Sequence, residues 1–486
     1  MSDQSVKDKT VKGIGWSALE NFLSQGVTFV VGIVLARLLS PDEFGTIGVA
    51  MIFVALFNKI VDCGFSNALI RKQNVSQEDY STTFIFNLLL SLSLYVICYI
   101  VAPHIAIFFH NDLLISVVRW ISLTLIINAF AIVQRTRLVK SIDFKTQAKV
   151  SLIASISSGV IGIVMAFYGC GVWSLVGQQL SRQFLNTTLL WIVNKWLPTF
   201  AFSIKSFKEL FSYGGKLMLS GIIDTLFNEI TTIVVGRIYT PATLGQYSRA
   251  KQFSGIFSSN LSSVMERVTY PVLSEFQNDE VKLLGYYKKI IKVLMMVTSL
   301  GTIFIACCSR SIILILIGPK WTEAIVYLQL LAFVELTIPL KNVNLNLMQV
   351  YGRSDYILKL SIIKRFIELG AICLGLIDIK VMLVGFAIAG IIGFLLNAGI
   401  TSRISGYRVS AQLKDILPSL IVSLLVGVCM YGVGMIVNNI YLAFLFQILV
   451  GISLFIMISE RLQLDEYQFA KRTVFEKLKI RKYVRN

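Results

Sequence analysis

The stretch Arg37-Leu-Leu-Ser-Pro-Asp-Glu-Phe-Gly45 returns in the second half of the chain as Arg237-Ile-Tyr-Thr-Pro-Ala-Thr-Leu-Gly245. The same offset, without a gap, aligns Gly15 with Gly215, Leu19 with Leu219, and Ile33-Val34 with Ile233-Val234. Each copy is an apolar run that ends in arginine, followed by a Ser/Thr-Pro turn and a glycine that opens the next apolar run. Repeats of this kind in a hydrophobic chain are typical of transporters built from two related helical bundles.

The composition is that of a membrane protein. Of the 486 residues, 55% are hydrophobic and 15% are charged, and the mean hydropathy is +0.73. A soluble domain of this length has too little interior to bury so much apolar side chain. The apolar runs are continuous and about 20 residues long, which is the length of an α-helix that crosses a bilayer. The sequence therefore predicts an all-α polytopic membrane protein. It shows no cleavable signal peptide, so we expect the first run to stay in the membrane.

Hydropathy and the spacing of Gly, Pro and charged residues predict about fourteen transmembrane helices. Their approximate limits are 14–37, 45–69, 82–109, 114–138, 149–168, 172–195, 214–237, 244–267, 290–309, 324–350, 356–377, 381–401, 415–437 and 440–459. Because an even number of crossings separates the two copies of the repeat, both enter the membrane in the same direction, as parallel repeats do.

The predicted organisation follows from the repeat. It comprises a first six-helix lobe over 1–195, an amphipathic linker on the cytoplasmic interface over 196–213, a second six-helix lobe over 214–401, two further transmembrane helices over 402–459, and a basic tail over 460–486.

Lysine and arginine orient the chain. With the N-terminus inside, most of them fall in cytoplasmic segments, including the predicted loop 134–149 and the tail. The opposite side holds only Arg310, Lys320 and Lys380, with Arg37 and Arg237 at the boundary. This positive-inside bias predicts that both termini are cytoplasmic. The formal net charge of +18 is spread over many short loops, which favours anionic membrane lipids as partners and argues against nucleic acid.

The cysteines suggest no metal or redox chemistry. The seven cysteines form no CxxC pair, and only two histidines, His104 and His110, are present to complete a metal site. We interpret the thiols as buried structural groups and expect no metal and no cofactor.

Several segments resemble the oligosaccharide flippases of bacterial polysaccharide export. They are Gly15-Trp16-Ser17, Leu35-Ala-Arg-Leu-Leu-Ser-Pro-Asp-Glu-Phe-Gly45, Asp62-Cys-Gly-Phe-Ser-Asn-Ala-Leu-Ile70, Leu210-Phe-Ser-Tyr-Gly214 and Lys320-Trp-Thr-Glu-Ala324. The group they resemble is the Wzx-type flippases for O-antigen, capsule or colanic-acid units, in the superfamily that also holds the MATE exporters and the lipid II flippases. The resemblance covers predicted spans one to twelve.

The resemblance implies two six-helix lobes around a central cavity in the bacterial cytoplasmic (inner) membrane. It also implies movement of an undecaprenyl-pyrophosphate-linked oligosaccharide from the inner to the outer leaflet, for cell-surface polysaccharide assembly, with other assembly proteins as further partners. Such a headgroup needs a water-filled cationic cleft lined by hydroxyl and amide groups.

Charged side chains inside the predicted spans are the candidates for that cleft, because a charge at the bilayer centre costs roughly 2.5–3.5 kcal/mol on insertion scales. Arg182 has no acidic residue within a helical turn, and Lys341 follows a proline and precedes three asparagines. These two are the first candidates for the pyrophosphate site. The further candidates are Arg249, Lys251, Lys59 and Arg119.

For some of these cations a structural role is an open alternative. Lys59 has the spacing to pair with Asp62 on its own helix, Arg119 has the position to extend outward to the interface, and at most one of Arg249 and Lys251 can face the cavity centre. Lys364 and Arg365 lie one turn before Glu368, which suggests a charged cluster.

Two acidic residues, Asp224 and Glu229, lie deep in the first helix of the second repeat. Such carboxylates either bind Na⁺ or H⁺ and couple transport to an ion gradient, or neutralise a cation of the cavity.

Other functions fit the sequence less well. A MATE-like cation-coupled small-molecule exporter would prefer an acidic, aromatic cavity, whereas these spans hold more Lys and Arg than Asp and Glu. An enzyme such as a membrane glycosyltransferase or polymerase would need a large outer loop with catalytic carboxylates, and the largest outer loop, 310–323, carries only Arg310, Lys320 and Glu323. We therefore expect a transporter and not an enzyme. A scaffold of a glycan-assembly complex would have no need of charges deep in the membrane.

Overall fold

The computed structural model describes residues 23–472, and in that range the ordered elements are helices. They are α1 (Leu23–Leu38), α2 (Pro41–Asp62), α3 (Phe65–Arg71), α4 (Gln77–Phe109), α5 (Leu113–Ile121), α6 (Leu123–Lys140), α7 (Phe144–Phe167), α8 (Val172–Asn194), α9 (Ile204–Ile238), α10 (Pro241–Glu275), α11 (Glu280–Leu316), α12 (Thr322–Leu336), α13 (Ile338–Val350), α14 (Ser354–Cys373), α15 (Ile379–Ser405), α16 (Val409–Ile436), α17 (Ile440–Arg461) and α18 (465–472). Short 3₁₀ turns lie at Pro319–Trp321 and Leu374–Leu376.

The predicted all-α membrane fold is confirmed. Within residues 23–472, ten helical segments are long and apolar enough to cross a membrane, and each coincides with one predicted span. The other predicted spans correspond to α1, α8, α10 and α14, and the first of them, 14–37, lies partly outside the described residues. The three fully described ones, α8, α10 and α14, are more polar, and the count of fourteen stays a prediction.

Three predicted spans contain a break in the helix. The second divides at Cys63 and Gly64, whose positive φ angles of 50° and 69° end α2 and redirect α3. The fourth divides at Ser122, between α5 and α6. The tenth divides at Thr337, where Pro339 in the first turn of α13 cannot donate a hydrogen bond to the preceding turn.

The chain divides into two compact units at Gly245. The first unit runs to Gly245 and the second begins at Gln246. In the first unit, α9 packs against α2, α3 and α4. The lobe boundaries inferred from the repeat are statements about sequence symmetry, and they stay predictions.

Within the first unit, the two copies of the repeated motif contact each other backbone to backbone. A Cβ atom on Gly45 would lie 1.8 Å from the carbonyl oxygen of Pro241, and one on Gly245 would lie 1.9 Å from that of Pro41. The contact is reciprocal, so each glycine is required by the proline of the other copy. This close approach explains why the Pro-x-x-x-Gly spacing appears in both copies.

The predicted linker 196–213 joins the helix that follows it. Residues from Ile204 onward belong to α9, ten residues before the predicted start of span seven. Lys72, in the turn before α4, lies 3.0 Å from Glu209 of α9 and 3.1 Å from Asp79 of α4. Burial on its own would lower the pKa of Lys72, but these two carboxylates raise it, so the lysine stays charged and links α9 to the start of α4.

In the second unit, α11 packs against α12, α16 and α17. Tyr287 of α11 is fully buried beside Leu340 and Phe394, and its hydroxyl donates to Asn344 Oδ1 at 2.6 Å. Apolar packing around one satisfied hydroxyl therefore fixes α11 against α13 and α15.

The interpretation of all seven cysteines as buried is wrong for two of them. Cys63, Cys98 and Cys308 are buried, and Cys170 and Cys307 are half-buried. Cys373 and Cys429 are exposed, because each lies on an outward-facing side of its helix. In a membrane helix an apolar sequence does not distinguish a core-facing thiol from an outward-facing one.

Candidate functional site

The first unit contains a cavity of about 410 Å³ whose lining is mainly polar. Four helices, α2, α6, α7 and α8, contribute its walls. The lining residues are Met51, Val54, Ala55, Asn58, Thr124, Arg135, Gln147, Ser151, Ala154, Gln179, Arg182, Gln183 and Asn186. Two arginines and seven neutral polar side chains thus face one space inside a bundle of apolar helices.

Helical periodicity brings these residues together. On α8, Gln179, Arg182, Gln183 and Asn186 are spaced by three, four and seven residues, so they share one face. The α2 residues from Met51 to Asn58 follow the same spacing. The polar face of α8 also explains why this helix is less apolar than the ten candidate spans.

A ladder of hydrogen bonds sets the rotation of α8 against α6. Thr187 donates to the carbonyl of Ile127 at 3.1 Å, and Trp191 Nε1 donates to that of Phe130 at 2.9 Å. Asn194 Nδ2 then donates to the carbonyl of Gln134 at 2.9 Å. Because these contacts fix α8 on its α6 side, Arg182 is directed into the cavity.

Small residues on α7 allow the third wall to approach closely. A Cβ on Gly162 would lie 2.8 Å from Gln178 Cβ of α8, and one on Gly159 would lie 2.5 Å from Val31 Cγ2 of α1. Membrane helices commonly use such residues for close packing, because lipid provides no hydrophobic force between helices. The packing leaves Gln147 and Ser151 of α7 at the cavity wall.

Arg182 is the charged centre of this cavity. It is half-buried, and no carboxylate among the described side chains forms an ion pair with it. A cation in such a position favours an anionic ligand.

Sequence reasoning missed Arg135, which lines the same cavity. The distribution of Lys and Arg places it in a cytoplasmic loop over 134–149. In the structure, α6 continues to Lys140 and α7 begins at Phe144. The loop is therefore limited to 141–143, and Arg135 lies on the last turns of α6. The polar residues that flank it obscured the end of the helix.

An amide relay connects three walls. Gln183 Nε2 of α8 donates to Asn128 Oδ1 of α6 at 2.9 Å, and Asn128 Nδ2 donates to Asn58 Oδ1 of α2 at 2.8 Å. Asn58 and Gln183 both face the cavity. Their remaining amide groups are suited to hydrogen bonding with hydroxyl or acetamido groups of a sugar.

In the second unit, Lys341 lies in a cluster that contains both cations and carboxylates. The ammonium interacts electrostatically with Glu335 and Glu368, and its aliphatic chain lies beside Gly393 together with that of Lys364. Glu335 accepts a hydrogen bond from Ser258. The surroundings of Lys341 thus differ from those of Arg182, since carboxylates lie close to it.

The predicted cluster of Lys364, Arg365 and Glu368 is present. Arg365 Nη1 and Glu368 Oε2 are 3.2 Å apart, and Lys364 interacts with Glu368 as well. Glu368 thereby connects this group to Lys341.

The other candidate cations are dispersed. Arg249 Nη1 donates to Gln252 Oε1 at 2.5 Å, while Lys251 is exposed with its Nζ 6.0 Å from the Tyr247 ring. Lys59 is exposed, and Asp62 accepts a hydrogen bond from Ser66. Arg119 donates to the carbonyl of Tyr99 and stacks over its ring at 4.0 Å.

The candidate coupling carboxylates lie on α9. Asp224 is exposed and Glu229 is half-buried. Neither forms an ion pair in the described range.

Comparison with known proteins connects this architecture with carbohydrate export. The model of the polysaccharide biosynthesis protein family matches residues 34–326. The chain belongs to this family. The repeated Ser/Thr-Pro region and the walls of the arginine-lined cavity both fall within the matched range.

Curated relatives align over most of their length. The chain is 22% identical to the teichuronic acid biosynthesis protein TuaB of Bacillus subtilis, covering 89% of this chain and 90% of that one. It is 24% identical to the lipopolysaccharide biosynthesis protein WzxC of Escherichia coli (88% and 89%). It is 25% identical to the succinoglycan biosynthesis transport protein ExoT of Rhizobium meliloti (77% and 76%).

Solved structures show the same fold. The lipid II flippase MurJ, in an inward closed conformation, superposes with a TM-score of 0.73 at 18% identity, covering 92% of this chain and 99% of that one. An inward-facing multidrug MATE transporter gives 0.60 at 16% identity, with coverage of 80% and 99%. The expected relation to both transporter groups is confirmed at the level of the fold.

Proposed function

We propose that this protein is a flippase that moves an undecaprenyl-pyrophosphate-linked oligosaccharide from the cytoplasmic to the outer leaflet of the bacterial cytoplasmic membrane. The observation that carries the proposal is the cavity with Arg135 and Arg182 and its amide-lined walls. A pyrophosphate binds the guanidinium groups through charge-assisted hydrogen bonds, and the sugars bind the amides. The polyprenyl chain stays in the lipid.

The names of the relatives support the substrate class. They describe the biosynthesis of teichuronic acid, lipopolysaccharide and succinoglycan, and one of them is named a transport protein. The names refer to three different glycan products, so the proposal specifies a lipid-linked glycan and not one particular sugar. Other polysaccharide-assembly proteins are the corresponding partners.

The first unit supplies the headgroup site of the proposed cycle. Arg182 and Arg135 bind the pyrophosphate. Alternating access then requires the two repeats to move around the bound headgroup, opening first inward and then outward. No covalent step is assigned to the protein, so we propose a transporter and not an enzyme.

The decisive experiment is deletion and complementation. A strain that lacks the gene should accumulate the lipid-linked oligosaccharide on the cytoplasmic side, and mass spectrometry of that lipid identifies the glycan. The intact gene should restore export, whereas normal export in the deletion strain would contradict the proposal.

A MATE-like cation-coupled exporter of small molecules is the second candidate, because the fold matches a MATE transporter. The arginines of the cavity repel organic cations, which argues against it. Efflux of a cationic dye by the purified, reconstituted protein, without any movement of the lipid-linked glycan, would favour this alternative.

The proposed orientation has both termini in the cytoplasm. On a Cys-free background, Ser141→Cys in the α6–α7 turn should react only with a permeant thiol reagent. Asp112→Cys, in the turn before α5, should react with an impermeant reagent added from outside. Both positions are exposed, so accessibility reports the side of the membrane. Labelling of Ser141→Cys by the impermeant reagent from outside would contradict the proposed orientation.

A further inference from the structure

The second unit contains another cavity, of about 700 Å³, which we call the C-terminal pocket. It lies where the first turns of α11 and α16 meet the segment that leads from α17 into α18. The lining residues are Gly285, Lys288, Lys289, Lys292, Asp415, Gln463, Asp465, Glu466, Gln468, Phe469 and Arg472. The pocket is thus located at one end of three candidate membrane helices.

The carboxylates of the C-terminal pocket already have partners. Lys292 Nζ lies 3.3 Å from Asp415 Oδ1 and 3.3 Å from Asp465 Oδ2. The hydroxyl of Tyr407 donates to Asp415, and that of Ser419 donates to the buried Glu466. Burial, and after it the hydrogen bond to Asp415, raises the pKa of Tyr407, so its hydroxyl remains a donor.

The other cations of the pocket have no such carboxylate. Lys288, Lys289 and Arg472 are exposed, and none forms an ion pair within the part of the chain that the structure describes. Lys288 Nζ lies 4.7 Å from the Tyr407 ring centroid and Lys289 Nζ 3.4 Å from that of Phe469. A ring face attracts an ammonium group but accepts few of its hydrogen bonds, so donors remain for an anion.

Apolar side chains border the same region. Phe469 lines the pocket and is 40% exposed, and Leu462, next to the lining residue Gln463, is 59% exposed. Leu413 of α16 is 40% exposed. A ligand that fits both the cations and this border carries a phosphate and an acyl chain.

We propose that the C-terminal pocket binds the phosphate of an anionic membrane lipid. The headgroup phosphate bridges Lys288 and Lys289 of α11 with Arg472 of α18, and the acyl chains lie along the exposed leucines. The lipid thereby holds α18 against the bundle, to which Leu464 and Glu466 already attach it. This site is separate from the arginine-lined cavity and does not depend on the transported substrate.

The test measures binding of fluorescent phosphatidylglycerol to the full-length protein in phosphatidylcholine nanodiscs. The triple variant Lys288→Gln, Lys289→Gln, Arg472→Gln should bind roughly tenfold or more weakly, because it loses several charge-assisted contacts. The control variant Lys149→Gln, Lys205→Gln, Lys208→Gln makes the same change of charge at exposed positions on the same predicted side. It should stay within about twofold of the wild type.

An equal loss of lipid binding in both triple variants would show that the lipid is attracted by the net positive charge of the surface. It would overturn the proposal of a specific site. The single variant Lys288→Gln, whose side chain contacts a ring face, provides a mild second change and should weaken binding by a smaller factor. Unchanged binding in this variant and in a folded triple variant would also overturn the proposal.

A soluble anion is distinguished by competition. Inorganic phosphate and glycerol phosphate should displace the lipid only at concentrations far above that of the lipid, because they lack the acyl chains. Displacement at comparable concentrations would identify a soluble-phosphate site and contradict the lipid assignment.

Discussion

The charged groups of the two units differ in their surroundings. In the first unit, Arg182 faces an amide-lined cavity in which no described carboxylate pairs with it. In the second unit, Lys341 lies near Glu335 and Glu368, and Arg365 pairs with Glu368. Both groups lie on helices of an apolar chain, yet only the second-unit group includes carboxylates close to its cations.

This difference separates two uses of charge in a membrane protein. An ion pair recovers part of the desolvation cost of its two charges from their mutual attraction, so it needs no ligand to be accommodated. A cation without a counter-ion keeps its desolvation cost until an anion arrives, and that cost becomes affinity for the anion. We therefore expect function to depend more on Arg182 than on Lys341.

The largest effect is expected for Arg182→Ala. Loss of charge-assisted hydrogen bonds worth about 1.5–3 kcal/mol should reduce export by roughly 10- to 150-fold. Arg182→Lys, which keeps the charge but not the planar fork, should be milder. The measurement is complementation of a flippase-null strain at matched protein abundance.

Arg119→Ala is the matched control, because it removes an arginine of the same unit that stacks on Tyr99 outside the cavity. It should leave export within about twofold of the wild type. Full export by a well-expressed Arg182→Ala, Arg135→Ala double variant would show that the two arginines do not form the pyrophosphate site.

The next largest effect concerns acidic groups that also lack partners. Asp224 and Glu229 on α9 form no ion pair in the described range, unlike Glu368. If they couple transport to an ion gradient, Asp224→Asn or Glu229→Gln should remove most of the dependence of transport on pH or Na⁺. The measurement is headgroup translocation in proteoliposomes with imposed gradients.

Glu368→Gln provides the control for those carboxylates, since Glu368 is already paired with Arg365 and its replacement should leave the gradient dependence intact. Wild-type pH and Na⁺ dependence in both α9 variants would show that the two carboxylates are structural.

A smaller effect is expected for Lys341→Ala, about tenfold or less. Here the loss removes one of the two cations that interact with Glu335, so part of the defect is uncompensated negative charge at Glu335. Adding Glu335→Gln should therefore recover export, through a coupling of about 0.5–3 kcal/mol between neighbouring groups. If the second substitution deepens the defect instead, Lys341 binds the substrate directly. The cations of the two units would then have the same role, and the contrast between them would be wrong.

The sequence was sufficient for the fold class, and it singled out Arg182, which lines the cavity and whose role stays a prediction. Both depend on local signals. Long apolar runs specify membrane helices, and an arginine in such a run without a nearby acid is rare. The repeated Pro-x-x-x-Gly motif was also visible in the sequence, but the contact that requires its glycines was not. The reciprocal contact of Gly45 with Pro241 joins residues far apart in sequence.

The rest of the site could not be obtained in the same way. Arg135 lies near the polar end of α6, where a helix and a basic loop have the same composition. The face formed by Gln179, Arg182 and Gln183 has a helical spacing that is visible in the sequence. Neutral amides are not costly enough in a membrane helix to mark a site, so the spacing alone did not predict one. The compensation of Lys341 depends on α12 and α14 packing together with α13, which single-sequence reasoning does not supply.

The smallest effect is expected in the neutral part of the arginine-lined cavity. Asn128 does not line the cavity, but it accepts from Gln183 and donates to Asn58, which do. Asn128→Ala removes both contacts while leaving every charge in place. Each neutral hydrogen bond contributes about 0.5–1.5 kcal/mol, so transport should fall by roughly three- to tenfold.

The reason for that loss is positional, and the measurement can show it. If the relay only orients the amides that meet the sugar, Asn128→Ala should raise the concentration of lipid-linked oligosaccharide needed for half-maximal transport. Transport of a polyprenyl pyrophosphate with a single sugar should then be almost unaffected, because that headgroup uses the arginines alone. Asn128→Gln tests the geometry, since it keeps the amide but displaces it by one methylene. An equal loss for the long and the short headgroup would show that Asn128 supports the packing of α2, α6 and α8, and the assignment of the amide wall to sugar binding would be wrong.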